Sequence, residues 1–273
     1  MASPVGQPTR GTTGTNRLRR NDRWIAASDA FRKAEDPLVI DLGYGASGVT
    51  AFELAQRLRR IRTDAEVIGL ELDPERVATA RSQLAEVRAG RTPFPPDLPV
   101  SFARGGFEVP LPGDRRPAVI RAMNVLRQYD ESDVAEAWKS VASRLAPGGL
   151  LVEGTCDEIG RVASWVDVAS DGLPVRFTIS LRLAGLEHPA VVAERLPKAL
   201  IHRNVPGERI HDLLHALDRE WERAAALSTF GPVQRWLATV SALKAQGIPV
   251  QGDRHRWRLG ELTLPWSSVT PLP

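Results

Sequence analysis

The sequence predicts an α/β protein in which a doubly wound, mostly parallel sheet carries helices on both faces and is followed by a mostly helical C-terminal elaboration. From residue 36 to about residue 155, short continuous apolar segments alternate with segments of helical periodicity. Continuous apolar segments of this kind are typical of parallel strands that are buried on both faces. Because crossovers between parallel strands are right-handed, the alternation also predicts helices on both faces of the sheet.

The elements of this first part follow one another in strict alternation. A strand in "PLVIDLGYG" ends at glycine, and the helix "VTAFELAQRLRRI" follows it. A second strand, "AEVIGLELD", precedes the helix "PERVATARSQLAEVRA", which opens with Pro74 and Glu75 as helix starts favour. The segments "LPVSFARGG", "PAVIRAMNVL" and "GGLLVEGT" are predicted as strands three, four and five, with the helix "SDVAEAWKSVASRLA" before the fifth. Ligands are then expected at the carboxyl ends of the strands, where the strand order reverses.

The pattern changes after residue 155. The segment "RVASWVDVASDGLPVRFTISLRL" predicts a hairpin at the edge of the sheet, which brings the predicted number of strands to seven. Three helical segments and a last strand in "HRWRLGELTLPW" follow. We therefore predict a flexible basic arm over residues 1–20, a sheet domain over 21–185, and a helical extension with a final strand over 186–273, packed on the same domain.

Composition limits the class of protein and its compartment. The chain of 273 residues is 42% hydrophobic and 25% charged, which is ordinary for a globular protein and argues against a disordered or fibrous one. No apolar stretch approaches the roughly 18 to 20 residues that cross a bilayer, and no signal peptide is recognisable, so we predict a cytoplasmic protein without membrane contact. The single cysteine, Cys156, excludes an internal disulfide framework.

Five arginines lie close together near the N-terminus. Such a cluster is either a solvated arm or a surface that faces RNA or another anion, and the sequence leaves both open. The oligomeric state is not predicted. The arginines are Arg10, Arg17, Arg19, Arg20 and Arg23.

The glycine-rich stretch after the first strand reads G-x-G-x-x-G, a spacing that also occurs in dinucleotide-binding proteins. Glycines between a strand and a helix allow a tight turn and aim the helix N-terminus at a ligand. However, Asp41 stands just before the loop, where a carboxylate would repel a pyrophosphate but suit an ammonium group. Glu71 closes the second strand, where a carboxylate can accept both hydroxyls of a ribose. An amino acid joined to a ribose is found in S-adenosylmethionine.

With these residues the sequence resembles the class I S-adenosylmethionine-dependent methyltransferases, which have a Rossmann-like fold. The resemblance is carried by "VIDLGYGASG", "VIGLELDPERV", "AMNVLRQY" and "SRLAPGGLLVEGT", in the family's order, and covers residues 36 to about 155. It implies methyl transfer as the activity, S-adenosyl-L-methionine as the cofactor, and a sheet whose late strands include one antiparallel member.

The resemblance also implies residue roles. Asp41 orients the methionine ammonium, often through water, Glu71 binds the ribose, and Leu72 lies beside the adenine. The family usually has an aspartate at the tip of the third strand, where this chain has Gly106. Phe107 is therefore expected to stack on the adenine and Glu108 to replace the aspartate. The cofactor-binding residues expected are Asp41, Gly43, Tyr44, Gly45, Gly48, Glu71, Leu72, Gly106, Phe107 and Asn124.

Catalytic residues are harder to predict, because the cofactor supplies the reactive group and the protein mainly aligns the reactants. The loops after strands four and five overhang the cofactor in this fold, and they carry the candidates Asn124, Arg127, Tyr129 and Glu158. The histidines form no recognised metal motif, so no metal is expected. The acceptor, a small molecule or RNA, stays open. Two alternatives also stay open: an NAD(P)-dependent oxidoreductase that uses the glycine loop, and a non-catalytic protein of the same fold.

Overall fold

The computed structural model describes residues 4–7 and 14–272. The strands are β1 (Leu38–Leu42), β2 (Glu66–Glu71), β3 (Val100–Arg104), β4 (Val119–Met123), β5 (Leu150–Cys156), β6 (Val162–Ala169), β7 (Pro174–Leu181) and β8 (Glu261–Pro265). The helices are α1 (Arg19–Ala27), α2 (Asp29–Arg32), α3 (Val49–Arg59), α4 (Pro74–Arg88), α5 (Val134–Ala142), α6 (Lys198–Ile201), α7 (Arg209–Arg223), α8 (Pro232–Ala245) and α9 (Arg254–Trp257). Short 3-10 helices cover Leu126–Gln128, Glu131–Asp133, Pro189–Arg195, Ala225–Phe230 and Trp266–Ser268.

The sheet has the strand order β3-β2-β1-β4-β5-β6-β7-β8. β1 pairs in parallel with β2 and with β4, and β2 pairs in parallel with β3. The strand order therefore reverses between β1 and β4, and right-handed crossovers place α3 and α4 on one face and α5 on the other. β1 and β4 are buried along their whole length, as the continuous apolar segments predicted. The predicted α/β class, with a mostly parallel, doubly wound sheet, is confirmed.

The number of strands is a correction, because the sheet has eight strands and not seven. The additional strand is β8, which pairs antiparallel with β7 from Arg176 opposite Pro265 to Ser180 opposite Glu261. Its sequence was predicted as a strand, but within the helical extension. The partner is about 85 residues away in the chain, and local alternation carries no information on which edge a strand will join. β8 supplies hydrogen-bond partners to an edge that β7 would otherwise expose.

Contacts divide the chain into two compact units. The first consists of residues up to 153 together with 158–160 and 168–173, and it contains β1 to β4 with α1 to α5. The second consists of 154–157, 161–167 and the chain from 174, and it contains β7, β8 and α6 to α9. The boundaries after residues 20 and 185 stay predictions. Among the described residues, no helix combines the length and the apolar character needed to cross a membrane.

Candidate functional site

The glycine loop between β1 and α3 needs its three glycines for two different reasons. Gly43 and Gly45 have φ angles of 68° and 88°, a left-handed conformation that residues with a Cβ adopt at a cost. Gly48 is the N-cap of α3 and has a φ of −69°, a backbone conformation that any residue can adopt. A Cβ at Gly48 would, however, lie 2.6 Å from Cζ of Phe102. The loop is therefore shaped by the first two glycines and packed against β3 by the third.

Two amide groups of this loop, those of Gly45 and Gly48, already donate to acceptors within the chain. The N–H of Gly45 donates to Oε2 of Glu71 at 3.0 Å, and the N–H of Gly48 donates to Oε1 of Gln83 at 2.9 Å. The same Gln83 oxygen accepts a hydrogen bond from Oγ of Ser47 at 3.1 Å. The first turn of a helix usually offers such amides to an anion, but here α4 supplies the cap.

Glu71 lies at the carboxyl end of β2 with 1% of its surface exposed. Oε2 is held by the loop, while Oε1 accepts a hydrogen bond from the N–H of Leu72 at 2.9 Å. Nη1 of Arg76, in the first turn of α4, lies 3.7 Å from Oε2. A buried carboxylate therefore stands directly beside the glycine loop.

The tip of β3 presents a hydrogen-bond donor and an acceptor side by side. Oε1 of Glu108 accepts from the N–H of Gly106 at 2.9 Å, which fixes the orientation of the carboxylate. Oε2 of Glu108 accepts from the N–H of Val5 at 2.8 Å, and the N–H of Phe107 donates to the carbonyl of Val5 at 2.9 Å. Val109, which is buried, has a φ of 41°, a strained conformation for a β-branched residue. The left-handed φ of Val109 therefore costs conformational free energy, which the folded state offsets elsewhere.

The tip of β4 contributes a second set of side chains. Asn124 has a φ of 63°, which is uncommon outside glycine. The ring of Tyr129 lies 5.4 Å from the ring of Phe107, and its Oη accepts from the N–H of Gln7. Arg127 and, after β5, Glu158 are exposed. The structure thus brings Phe107 and Tyr129 together, and it places Arg127 and Glu158 at the surface.

No family model matches the chain, and no curated protein matches it. Similar solved structures include the CcbJ methyltransferase from Streptomyces caelestis, with 18% identity over 61% of this chain and 71% of that chain and a TM-score of 0.39. The glycopeptide N-methyltransferase MtfA complexed with sinefungin has 24% identity over 53% of this chain and 50% of that chain, with a TM-score of 0.37. An O-methyltransferase family protein from Burkholderia thailandensis has 19% identity over 50% and 37%, with a TM-score of 0.35. The chain spans about half the length, or less, of most of these structures.

Three features of this chain define its fold and its candidate site. They are the reversal of strand order between β1 and β4, the glycine loop after β1 and the acid that closes β2. The chain has a doubly wound α/β fold with its glycine loop at the point where the strand order reverses. The assignment of individual residues rests on the geometry of this chain and not on these matches, whose TM-scores are 0.39 or lower.

Asp41 has a different partner from the one that the methyltransferase resemblance implies. It lies opposite Arg121 in the register of β1 and β4. Its Oδ1 accepts from Nε of Arg121 at 2.9 Å, and its Oδ2 accepts from Nη2 of Arg121 at 2.5 Å and from Oγ1 of Thr50 at 3.1 Å. Asp41 is 2% exposed and Arg121 is fully buried. A guanidinium of this chain therefore neutralises the carboxylate that was expected to face a methionine ammonium.

The pair belongs to a larger buried network of charges. Nη1 of Arg121 also donates to Asp22 of α1, and Asp22 accepts from Nη1 of Arg57 in α3. Arg57 in turn lies 3.3 Å from Oε2 of Glu53. Burial raises the pKa of Asp22 to about 6, although Arg121 and Arg57 act in the opposite direction. Sequence reasoning missed this network, and the available signal was one arginine inside the apolar segment "PAVIRAM", where burial requires a charged partner.

Tyr44 packs into the core under the loop. Its ring meets the ring of Phe102 edge to face at 5.1 Å, and its hydroxyl donates to the carbonyl of Arg76 at 3.4 Å. A Cβ at Gly69 would lie 2.9 Å from Cδ1 of Tyr44. Burial raises the pKa of the hydroxyl above its ordinary value. The side chain therefore ties the loop to β2, β3 and α4, and it is the backbone at this position that shapes the loop.

The N-terminal arginine cluster does not form one exposed surface. Arg20 is buried, and its Nε donates to the carbonyl of Gly160 at 3.1 Å. Arg19 is exposed, Arg17 and Arg23 are half-buried, and Arg10 lies outside the described residues. Among the described residues, no group of three or more His, Cys, Asp and Glu side chains could hold a metal ion.

Proposed function

We propose that this protein is an S-adenosylmethionine-dependent methyltransferase whose cofactor binds at the carboxyl ends of β1 to β4. The observation that carries the proposal is the way Glu71 and Gln83 hold the glycine loop. A pyrophosphate at the loop would have to displace both acceptors and would lie against the buried carboxylate of Glu71. A neutral ribose, in contrast, donates hydroxyl groups to such a carboxylate. The same observation disfavours an NAD(P)-dependent oxidoreductase.

The tip of β3 fits the other end of a nucleoside. The edge of adenine carries an amino donor next to a ring-nitrogen acceptor, and the pair formed by Glu108 and the N–H of Phe107 offers the complementary acceptor and donor. Leu72 provides an apolar side chain between this pair and Glu71, where a base and its ribose would meet. We assign the ribose to Glu71 and the adenine edge to Phe107 and Glu108.

The chain's own residues bind the cofactor, orient the reactants and exclude water. When bound, S-adenosylmethionine supplies a methyl group on a sulfonium, so the protein need not provide a nucleophile or an electrophile. Alignment of the acceptor with that methyl group can contribute roughly 7 to 11 kcal/mol. We assign the acceptor-facing positions to the loops that carry Asn124, Arg127, Tyr129 and Glu158.

Replacement of Glu71 by glutamine should weaken binding of S-adenosylhomocysteine at least about tenfold, because a hydrogen bond to a charged acceptor contributes roughly 1.5–3 kcal/mol. Isothermal titration calorimetry measures the change. Glu86→Gln is the matched control, since Glu86 is a half-exposed glutamate in the last turn of α4, at the end of that helix far from Glu71. Glutamine keeps the shape of Glu71 and one acceptor oxygen, so the fold should survive, which the midpoint of thermal unfolding checks.

Equal binding by the wild type and Glu71→Gln would contradict the assigned ribose site. Calorimetric binding of NAD or NADP by the wild type, without binding of S-adenosylhomocysteine, would favour the oxidoreductase. Catalysis itself is tested with methyl-labelled S-adenosylmethionine and a pool of small hydroxyl and amino compounds. Cofactor binding without release of S-adenosylhomocysteine from any acceptor pool would support a non-catalytic protein of this fold.

We also propose a small-molecule acceptor in preference to RNA, because Arg20 is buried and the cluster does not present one basic surface. An RNA oligonucleotide should therefore bind weakly, and Arg19→Ala should leave its affinity within about twofold of the wild type in a filter-binding assay at low salt. Tight binding with a steep dependence on salt, lost in Arg19→Ala, would argue for RNA.

A further inference from the structure

A segment from the N-terminus lies on the site assigned to adenine. The N–H of Val5 donates to Glu108, and its carbonyl accepts from the N–H of Phe107. The N–H of Gln7 donates to Oη of Tyr129, and its carbonyl accepts from Nε2 of Gln128 at 2.9 Å. The side chain of Val5 is 54% exposed, so the segment is held through its main chain.

The segment uses the same pair of groups that would read a nucleobase. Val5 presents one donor and one neighbouring acceptor, as the edge of adenine does, to the carboxylate of Glu108 and the N–H of Phe107. The Phe107 amide has one proton, so it cannot serve Val5 and an adenine nitrogen together. Occupation by Val5 and by adenine therefore exclude each other.

Close contact on both sides shows that the segment fits this place. Gly6 has a φ of 134°, and a Cβ there would lie 3.1 Å from Oη of Tyr129 and 3.3 Å from Cδ1 of Leu72. A Cβ at Gly106 would lie 2.0 Å from the carbonyl oxygen of Val5. One glycine in the segment and one at the tip of β3 are thus needed for the contact.

We propose that residues 5–7 are an autoinhibitory segment that occupies the adenine subsite of the cofactor-free protein and leaves it when the cofactor binds. This inference rests on the proposed function. The measured affinity for the cofactor is then reduced by the fraction of molecules whose segment is docked. Anything that draws the N-terminus away would raise the affinity without touching the site.

The full-length variant Gly6→Ala separates the segment from the site. Alanine at this φ is strained and its Cβ meets Tyr129, so the docked state should be disfavoured while Glu71, Phe107 and Glu108 are unchanged. We expect the calorimetric Kd of S-adenosylhomocysteine to fall about fivefold or more, within the limit set by the docking equilibrium. Deletion of residues 2–7 should lower it at least as far. Gly90→Ala is the control, since Gly90 is exposed, has a φ of 71°, and lies beyond the far end of α4.

Amide hydrogen exchange of the wild type gives an independent measurement. Addition of S-adenosylhomocysteine should speed the exchange of the Val5 and Gln7 amides, because the segment is released. Equal or weaker binding by Gly6→Ala and the deletion, or slower exchange at Val5 and Gln7, would overturn the inference and leave the methyltransferase proposal standing. If the wild type and both variants are folded and none of them binds S-adenosylhomocysteine, the autoinhibitory segment and the methyltransferase proposal are both overturned.

Discussion

Replacement of Arg121 by methionine should lower the free energy of unfolding by about 3–5 kcal/mol, because it leaves Asp41 and Asp22 buried without the cation that they share. Methionine fills a similar volume, so loss of charge and not loss of packing dominates. Urea denaturation followed by circular dichroism measures the change. The loss should be smaller at pH 5 than at pH 8, because the pKa of Asp22 near 6 allows this carboxyl to become neutral at the lower pH.

Two further variants make this prediction specific to the network. Arg60→Met removes an exposed arginine just after α3 and should change the stability by no more than about 0.5 kcal/mol. Asp41→Asn combined with Arg121→Met removes one of the two stranded charges, so the double variant should be more stable than Arg121→Met alone. If Arg121→Met unfolds at the urea concentration of the wild type, the network does not stabilise the fold.

The network also changes which cofactor experiments are informative. Asp41→Ala would leave Arg121 buried without this carboxylate. A loss of ligand binding in that variant would therefore report unfolding as much as a missing contact with the ligand. Glu71 is the better probe, because backbone amides donate to it and its cationic neighbour Arg76, 3.7 Å away, is partly exposed and is not left as a buried charge by a glutamine.

The sequence predicted what depends on local pattern. The alternation of apolar and periodic segments was sufficient for β1 to β5 and their helices, and spacing alone placed the glycine loop beside Glu71. These features are local because a strand buried on both faces and a helix start each have a recognisable sequence pattern within a few residues.

What the sequence did not predict depends on partners far apart in the chain. Asp41 looked like a ligand-facing acid because nothing near it shows that Arg121, 80 residues later, lies opposite it. Tyr44 was counted among the cofactor-binding residues, and nothing near it in the chain shows that its ring packs against Phe102 and Gly69. The N-terminal segment was predicted to be flexible, and its docking at residues 5–7 depends on groups at the tips of β3 and β4.

Glu153 is a buried acid that none of these roles uses. It lies in β5, where Oε2 accepts from Nε1 of Trp138 at 3.3 Å and Oε1 has no hydrogen-bond partner among the residues that the structure describes. Burial raises its pKa from 4.5 to about 8. Because the folded pKa is higher than the unfolded one, this carboxyl favours folding while it is protonated. Its contribution is fully present below pH 4.5 and is lost as the pH rises through about 8.

Replacement of Glu153 by glutamine should therefore flatten the dependence of stability on pH. Asp22, with a pKa of about 6, is half ionised at pH 6 and completes its titration early in the interval from pH 6 to pH 9, so Glu153 dominates the change across it. We expect the free energy of unfolding of the wild type to fall by a few kcal/mol across it, and that of Glu153→Gln to stay nearly constant. Glutamine keeps an acceptor for Trp138, and the exposed Glu136→Gln in α5 should follow the wild type. Parallel curves for the wild type and Glu153→Gln would mean that Glu153 is already ionised in the fold at pH 6, because only a proton bound to the folded state and not to the unfolded one makes the two curves diverge.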